Sequence, residues 1–191
     1  MDDVAKVRAP AVEMLVSALL GLVAALVLSI DAVKLAANPD VVLSCDISAA
    51  ISCGKVGLSA QASLFGFPNS FLGLIAEPVV ITVAVALLGG VRFPRWFMVA
   101  AQAVYTFGLV FAFWLFYEAY FHIGALCPWC LTITATTTLV WFSLLRINLS
   151  SGVFGDRARA ATAPALRVGA DTAAALLVLA AVAAMVLAKY V

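Results

Sequence analysis

Four cysteines stand in two pairs, Cys45 with Cys53 and Cys127-Pro128-Trp129-Cys130, and each pair adjoins apolar sequence of membrane-spanning length. A pair of thiols holds two electrons when it closes as a disulfide, and two pairs pass them along by thiol–disulfide exchange. The Cys-Pro-Trp-Cys run lies where a loop ends and an apolar helix begins, with Pro128 suited to the first helical turn. Unpaired amides and the helix dipole at such a start favour an anion, so a thiolate there is stabilised. This is a recurrent redox geometry; a structural disulfide or half of a zinc site are the other readings. Cys45 and Cys53 read as a pair on a mobile loop, able to swing against a fixed one. A static staple, or a zinc site of four thiolates, are the alternatives. Zinc fits less well, because such sites pair close-spaced knuckles in polar domains, and no metal is expected.

The elements that carry these pairs are membrane helices. Of 191 residues, 65% are hydrophobic and 11% charged, with a mean hydropathy of +1.15. A soluble chain is about half apolar and about a quarter charged, and a 20 kDa chain cannot hide this much apolar surface in a core of its own. Five stretches are long enough to cross a bilayer as helix, which takes about 20 residues: about 11–35, 70–88, 96–120, 128–146 and 168–189. None alternates with period two, which predicts helices rather than a barrel. Lys6 and Arg8 precede the first stretch, as in a signal peptide. Its apolar run is longer than a signal core and no clean cleavage site follows, so it is read as a retained helix.

Sidedness follows from Lys and Arg. With the N-terminus in the cytoplasm, the inside collects Lys6, Arg8, Arg92, Arg95, Arg146, Arg157, Arg159 and Arg167, and the outside only Lys34, Lys55 and Lys189. Both cysteine pairs then face outward, where disulfides persist. The net charge of +1 carries no signal for nucleic acid. Short Gly- and Pro-bearing connections at 89–94 and 121–125 predict an up-down bundle of the first four helices. The expected division is a core over 1–147 with its cysteine loop at 36–69, a cytoplasmic linker over 148–167, and a peripheral fifth helix over 168–191. Within the loop, 57–67 mixes Leu58, Leu64, Phe65 and Phe67 with Ser59, Gln61 and Ser63, a segment suited to lie on the bilayer surface and cap the bundle.

Cys45-Asp46-Ile47-Ser48-Ala49-Ala50-Ile51-Ser52-Cys53, then Ser59, then Asn69-Ser70 opening the second span, then Cys127-x-x-Cys130 opening the fourth, resembles the vitamin K epoxide reductase family over roughly 12–146. The resemblance implies an all-α membrane protein, a four-helix bundle enclosing a quinone (menaquinone, ubiquinone or related) with an added fifth helix. It implies that Cys130 faces the quinone and that Cys127 is its partner in the active-site disulfide. Cys53 would attack that disulfide through Cys127, and Cys45 would exchange with an external thioredoxin-like protein. Ser59 and Asn69 match polar residues near the quinone head group. The implied activity is oxidation of an extracytoplasmic thioredoxin-like partner at the inner membrane, with electrons passed to a membrane quinone. Vertebrate epoxide reductases carry Tyr four residues after the last active-site cysteine, where this chain has Thr134. Quinone-epoxide reduction is therefore the alternative activity, and a non-catalytic membrane protein with stapled loops a third.

Other residues carry weaker signals. Glu77, before Pro78 in the second span, is a relay for quinone protons or a packed, protonated side chain. Gln102 suits a helix–helix hydrogen bond, and His122 a solvated position or a proton shuttle. Phe111, Phe113, Trp114, Phe116, Tyr117 and Tyr120 suit a mixture of packing, interfacial belt and quinone contact.

Overall fold

The computed structural model describes residues 2–190, with side chains for 7–189; the Lys6 side chain lies outside the described residues. Among the described residues seven α-helices form: α1 (Asp2–Ala37), α2 (Cys53–Gly57), α3 (Ser70–Leu88), α4 (Arg95–Glu118), α5 (Pro128–Ser150), α6 (Asp156–Arg167) and α7 (Ala170–Tyr190). Among the described residues five are long and apolar enough to span a bilayer, which makes this an all-α membrane protein. Leu19, Leu20, Val23, Leu26 and Ile30 of α1 are about half exposed. An apolar face of that extent is stable against lipid rather than water.

α1 packs between α3 and α5, and α4 packs on α5. Ala11, Ala18, Ala24 and Ala25 are fully buried on α1, small side chains that allow the close approach on which membrane helix packing depends. Away from the cysteines the interior is filled by Met14, Val80, Met98, Val140, Leu144 and Ile147. Polar links cross it: Glu13 of α1 accepts from Ser143 of α5, and Asn148 Nδ2 donates to Gln102 Oε1 at 3.0 Å. The second of these is the helix–helix bond expected of Gln102.

Three expectations change in detail. The loop at 36–69 is not unstructured, since α2 and a 3₁₀ turn at Ala60–Ser63 form within it. The connection after α4 begins with a π-type turn, Ala119–Ile123, that prolongs the helix. The segment 148–167 is not a plain linker: α5 runs to Ser150 and α6 occupies Asp156–Arg167. Alanine and arginine are strong helix formers, Asp156 in the first turn and Arg167 in the last suit the dipole, and none of these signals is a long apolar run. α7 sits at the edge of the bundle. Arg146 holds it by donating to both oxygens of Asp171 at 2.7 and 2.9 Å, and Tyr120 Oη donates to the Met185 carbonyl at 3.2 Å.

Candidate active site

The loop pair and the helix-mouth pair are brought together by backbone. Residues 50–52 run alongside Leu126: Leu126 N donates to Ala50 O at 2.9 Å and Ser52 N to Leu126 O at 3.0 Å. This two-bond bridge puts Cys53, which opens α2, against Cys127, which caps α5. Their sulfurs are 3.1 Å apart. Cys45 and Cys53 form a disulfide, while Cys127 and Cys130 are free thiols.

The loop is clamped rather than free to swing, because Asp46 is its hub. One carboxylate oxygen accepts from Leu43 N (2.8 Å), the other from Ser52 Oγ (2.7 Å) and Gly54 N (2.9 Å). Burial opposes the charged form, but these donors outweigh it and hold the carboxyl below its ordinary value. Gly54 is required here, since a Cβ would stand 3.0 Å from the Asp46 carboxylate. Cys45 and Cys53 are buried as a result.

Cys127 is the favoured thiolate. The Cys130 side chain beside it lowers its pKa from the ordinary 9.0, helped by the Cys130 and Trp129 amides and opposed by burial and the charge of Asp31. Cys130 N approaches Cys127 Sγ at 3.4 Å. The helix start thus stabilises the sulfur that touches the loop pair.

Behind the cysteines lies a cavity of about 700 Å³ between α1, α3, α4 and α5, covered by 56–69. Cys53, Cys127 and Cys130 all line it. Its walls are mainly apolar, with Phe111, Leu115 and Phe116 on one side and Leu72, Ile75 and Ala76 on another. Volume and lining fit an apolar ring with a few polar ends, such as a quinone.

The model of the vitamin K epoxide reductase family matches residues 12–145. The chain belongs to that family. No individual curated protein matches it. The family is one of membrane disulfide oxidoreductases and quinone reductases, so membership implies a membrane redox enzyme. In this family member, Ser59 and Asn69 both line the cavity, yet each is engaged elsewhere. Ser59 Oγ donates to Val56 O (2.7 Å), while Asn69 Nδ2 donates to Gln61 O (2.6 Å) and its Oδ1 accepts from Leu64 N (3.3 Å). Asn69 therefore holds the cover in place, leaving one amide proton for the cavity. Thr134 lines the cavity and donates its hydroxyl proton to Cys130 O at 3.0 Å.

Glu77 is buried and lines the deeper end of the cavity, accepting from Tyr105 Oη at 3.3 Å. A Cβ on Gly21 would meet its Oε1 at 2.8 Å, so α1 closes over it. His122 is exposed, as a solvated position predicts, and its Nδ1 is 3.1 Å from Glu118; Glu118 also accepts from Gln61 Nε2. That pair fastens the cover to α4. Phe65 of the cover adds a ring contact with Phe111 at 5.6 Å. Sequence reasoning passed over Asp46 and Asp31. Asp46 follows a cysteine within a hydroxyl-rich loop, the setting in which a carboxylate gathers local donors. Asp31 is one acid in an otherwise apolar span, the same signal that drew attention to Glu77.

Proposed function

We propose that the protein reoxidises an extracytoplasmic thioredoxin-like protein and passes the electrons to a membrane quinone, supporting disulfide formation in exported proteins. The observation that carries this reading is the 3.1 Å approach of Cys53 and Cys127, with the cavity directly behind them. The excess of Lys and Arg on one side supports a cytoplasmic-membrane location with the N-terminus inside and the cysteines outside. Exported substrates and a thioredoxin-like donor belong to that outer compartment.

Two electrons move in balanced steps. A partner thiolate attacks Cys45, the Cys45–Cys53 bond breaks, and the partner's second thiol releases it as a disulfide, leaving the loop as a dithiol. Cys53 then attacks Cys127, forming Cys53–Cys127 as Cys127–Cys130 breaks and Cys130 leaves as a thiolate. Cys45 closes on Cys53, Cys127 is released, and the helix-mouth pair is reduced. That last arrangement, loop disulfide beside helix-mouth dithiol, is the one described above. A bound quinone supplies the sink for two electrons and two protons as Cys127 and Cys130 close again. Cys130 lines the cavity, while the remaining Asn69 proton and the Ser59 oxygen are the polar groups offered to a head group.

Thr134 weighs against the epoxide-reducing alternative, because its hydroxyl proton is committed to a backbone carbonyl. The test is dithiol-driven quinone reduction by purified protein, followed by quinone absorbance. Cys130→Ala should leave the helical spectrum unchanged and abolish turnover; retained turnover would remove Cys130 from the reaction.

A further inference from the structure

Asp31 is 5% exposed, within α1, and its Oδ2 has no hydrogen-bond partner. Its Oδ1 is 3.2 Å from Lys34 Nζ, whose side chain is 54% exposed. A buried carboxylate oxygen without a donor is costly. Its position says why it is there. Leu28 and Leu35 flank Asp31 at helical i−3 and i+4 spacing, on one face, and both belong to the apolar cluster that holds Cys45, Cys53 and Cys127. Asp31 itself lines the cavity beside Cys53 and Cys127. The other titratable groups of that cavity are Cys130 from α5, Glu77 from α3 and Tyr105 from α4. Glu77 lies against Gly21, ten residues earlier on α1 and so roughly 15 Å along its axis. Glu77 and Tyr105 pair with each other there, which leaves Asp31 as the acid of the cysteine end.

We propose that Asp31 is the proton-transfer group of the thiol relay: it protonates Cys127 when that sulfur is released from Cys53, and takes the proton back when Cys127 attacks. This deepens the oxidase reading and rests on it. In the forward step Cys45 thiolate attacks Cys53 and the Cys45–Cys53 bond forms. The Cys53–Cys127 bond breaks with both its electrons on Cys127. The Asp31 carboxyl proton passes to that sulfur through one water, since neither carboxyl oxygen touches it directly. Asp31 is left as a carboxylate opposite Lys34, the form that takes the proton back when Cys127 closes again with Cys130. The Cys45 proton has gone to solvent earlier, so the step begins and ends with one negative charge. The charge of Asp31 already bears on Cys127, opposing its thiolate, which is the coupling that a shared proton requires.

The experiment uses full-length Asp31→Asn and Asp31→Glu protein with two readouts. The first is the pH dependence of Cys127 alkylation by iodoacetamide, measured by mass spectrometry without quinone or partner. The second is the pH profile of dithiol-driven quinone reduction. For Asp31→Asn, removing a negative charge should lower the pH at which Cys127 becomes reactive. Turnover should nonetheless fall on the order of 100-fold, with a changed pH profile. Asp31→Glu should restore most of both. A better thiolate in a slower enzyme is a pairing that mere loss of packing does not produce. Asp31→Asn turnover with wild-type rate and pH profile, an unmoved Cys127 titration, or no recovery in Asp31→Glu would each overturn the proposal. If wild-type protein reduces no quinone, the oxidase reading fails, and the alkylation titration still decides whether Asp31 serves Cys127.

Discussion

The two halves of the bundle use the same helices differently. In the half away from the cysteines, Met14, Val140, Leu144 and Ile147 fill the space between α1 and α5, each no more than 2% exposed. In the cysteine half the same helices line a cavity of about 700 Å³, which α3 and α4 also wall. What covers that cavity is not another spanning helix but residues 56–69, fastened by Asn69 and Glu118, while Asp46 clamps the loop just before them. The contrast teaches that stability and chemistry are spatially separated. One end is packed by side chains, and the other is held open by polar clamps around a pair of sulfurs.

The sharpest way to break this comparison is to close the open half. Ala76 lines the cavity one residue before Glu77. Ala76→Phe should fill space meant for a ring while leaving the Cys53–Cys127 contact alone. Quinone reduction should drop by about 100-fold, with the far-ultraviolet spectrum and exchange between the cysteine pairs unchanged. Undiminished quinone reduction would mean that the cavity is not where the electron acceptor binds.

The converse change belongs in the packed half. Leu144 is 2% exposed among Met14, Val140 and Ile147. Leu144→Ala leaves a void there. In lipid the reference state is itself apolar, so the transfer part of the usual penalty is missing and lost packing remains, about 1–3 kcal/mol. Thermal unfolding in detergent should move down while turnover per folded molecule stays near wild type. A specific loss of turnover without loss of stability would show that the two halves are coupled.

How much of this was legible in the chain depends on the scale of the signal. The spanning helices announce themselves through uninterrupted apolar length, and α3 was placed at 70–88, its observed extent. The cysteine pairs were legible because type and spacing carry redox chemistry without tertiary detail. Their mutual contact was not, since it depends on residues 50–52 pairing with Leu126, a two-bond bridge with no pattern of its own. α6 was missed because its three arginines and Asp156 cancel the hydropathy of its alanines, and helix propensity and end charges leave no long apolar run. Ser59 and Asn69 were found as polar residues near the cavity. Their hydrogen bonds to Val56, Gln61 and Leu64 could only come from the fold.

The smallest effect tests the clamp at Asp46. Its carboxylate accepts from Leu43 N, Ser52 Oγ and Gly54 N, and Asp46→Asn turns one acceptor into a donor facing an N–H. Hydrogen bonds to a charged group are the stronger kind, but the site is partly solvated. About 1–2 kcal/mol of local stability is expected to go, roughly 5–30-fold more loop opening, read from hydrogen exchange at the Leu43 and Gly54 amides. The folded carboxyl titrates below its ordinary 3.8, so its contribution is complete above that value and lost as pH falls through the lower one. Wild-type loop opening should be flat across neutral pH and rise only in acid, a rise that Asp46→Asn should lack. Opening that changes in wild type between pH 6 and 8 would place control of the loop elsewhere. The two half-reactions should respond in opposite directions. Cys45 is only 6% exposed, so a looser loop admits a partner thiolate faster. The same looseness takes Cys53 out of register with Cys127 and slows transfer to the helix mouth.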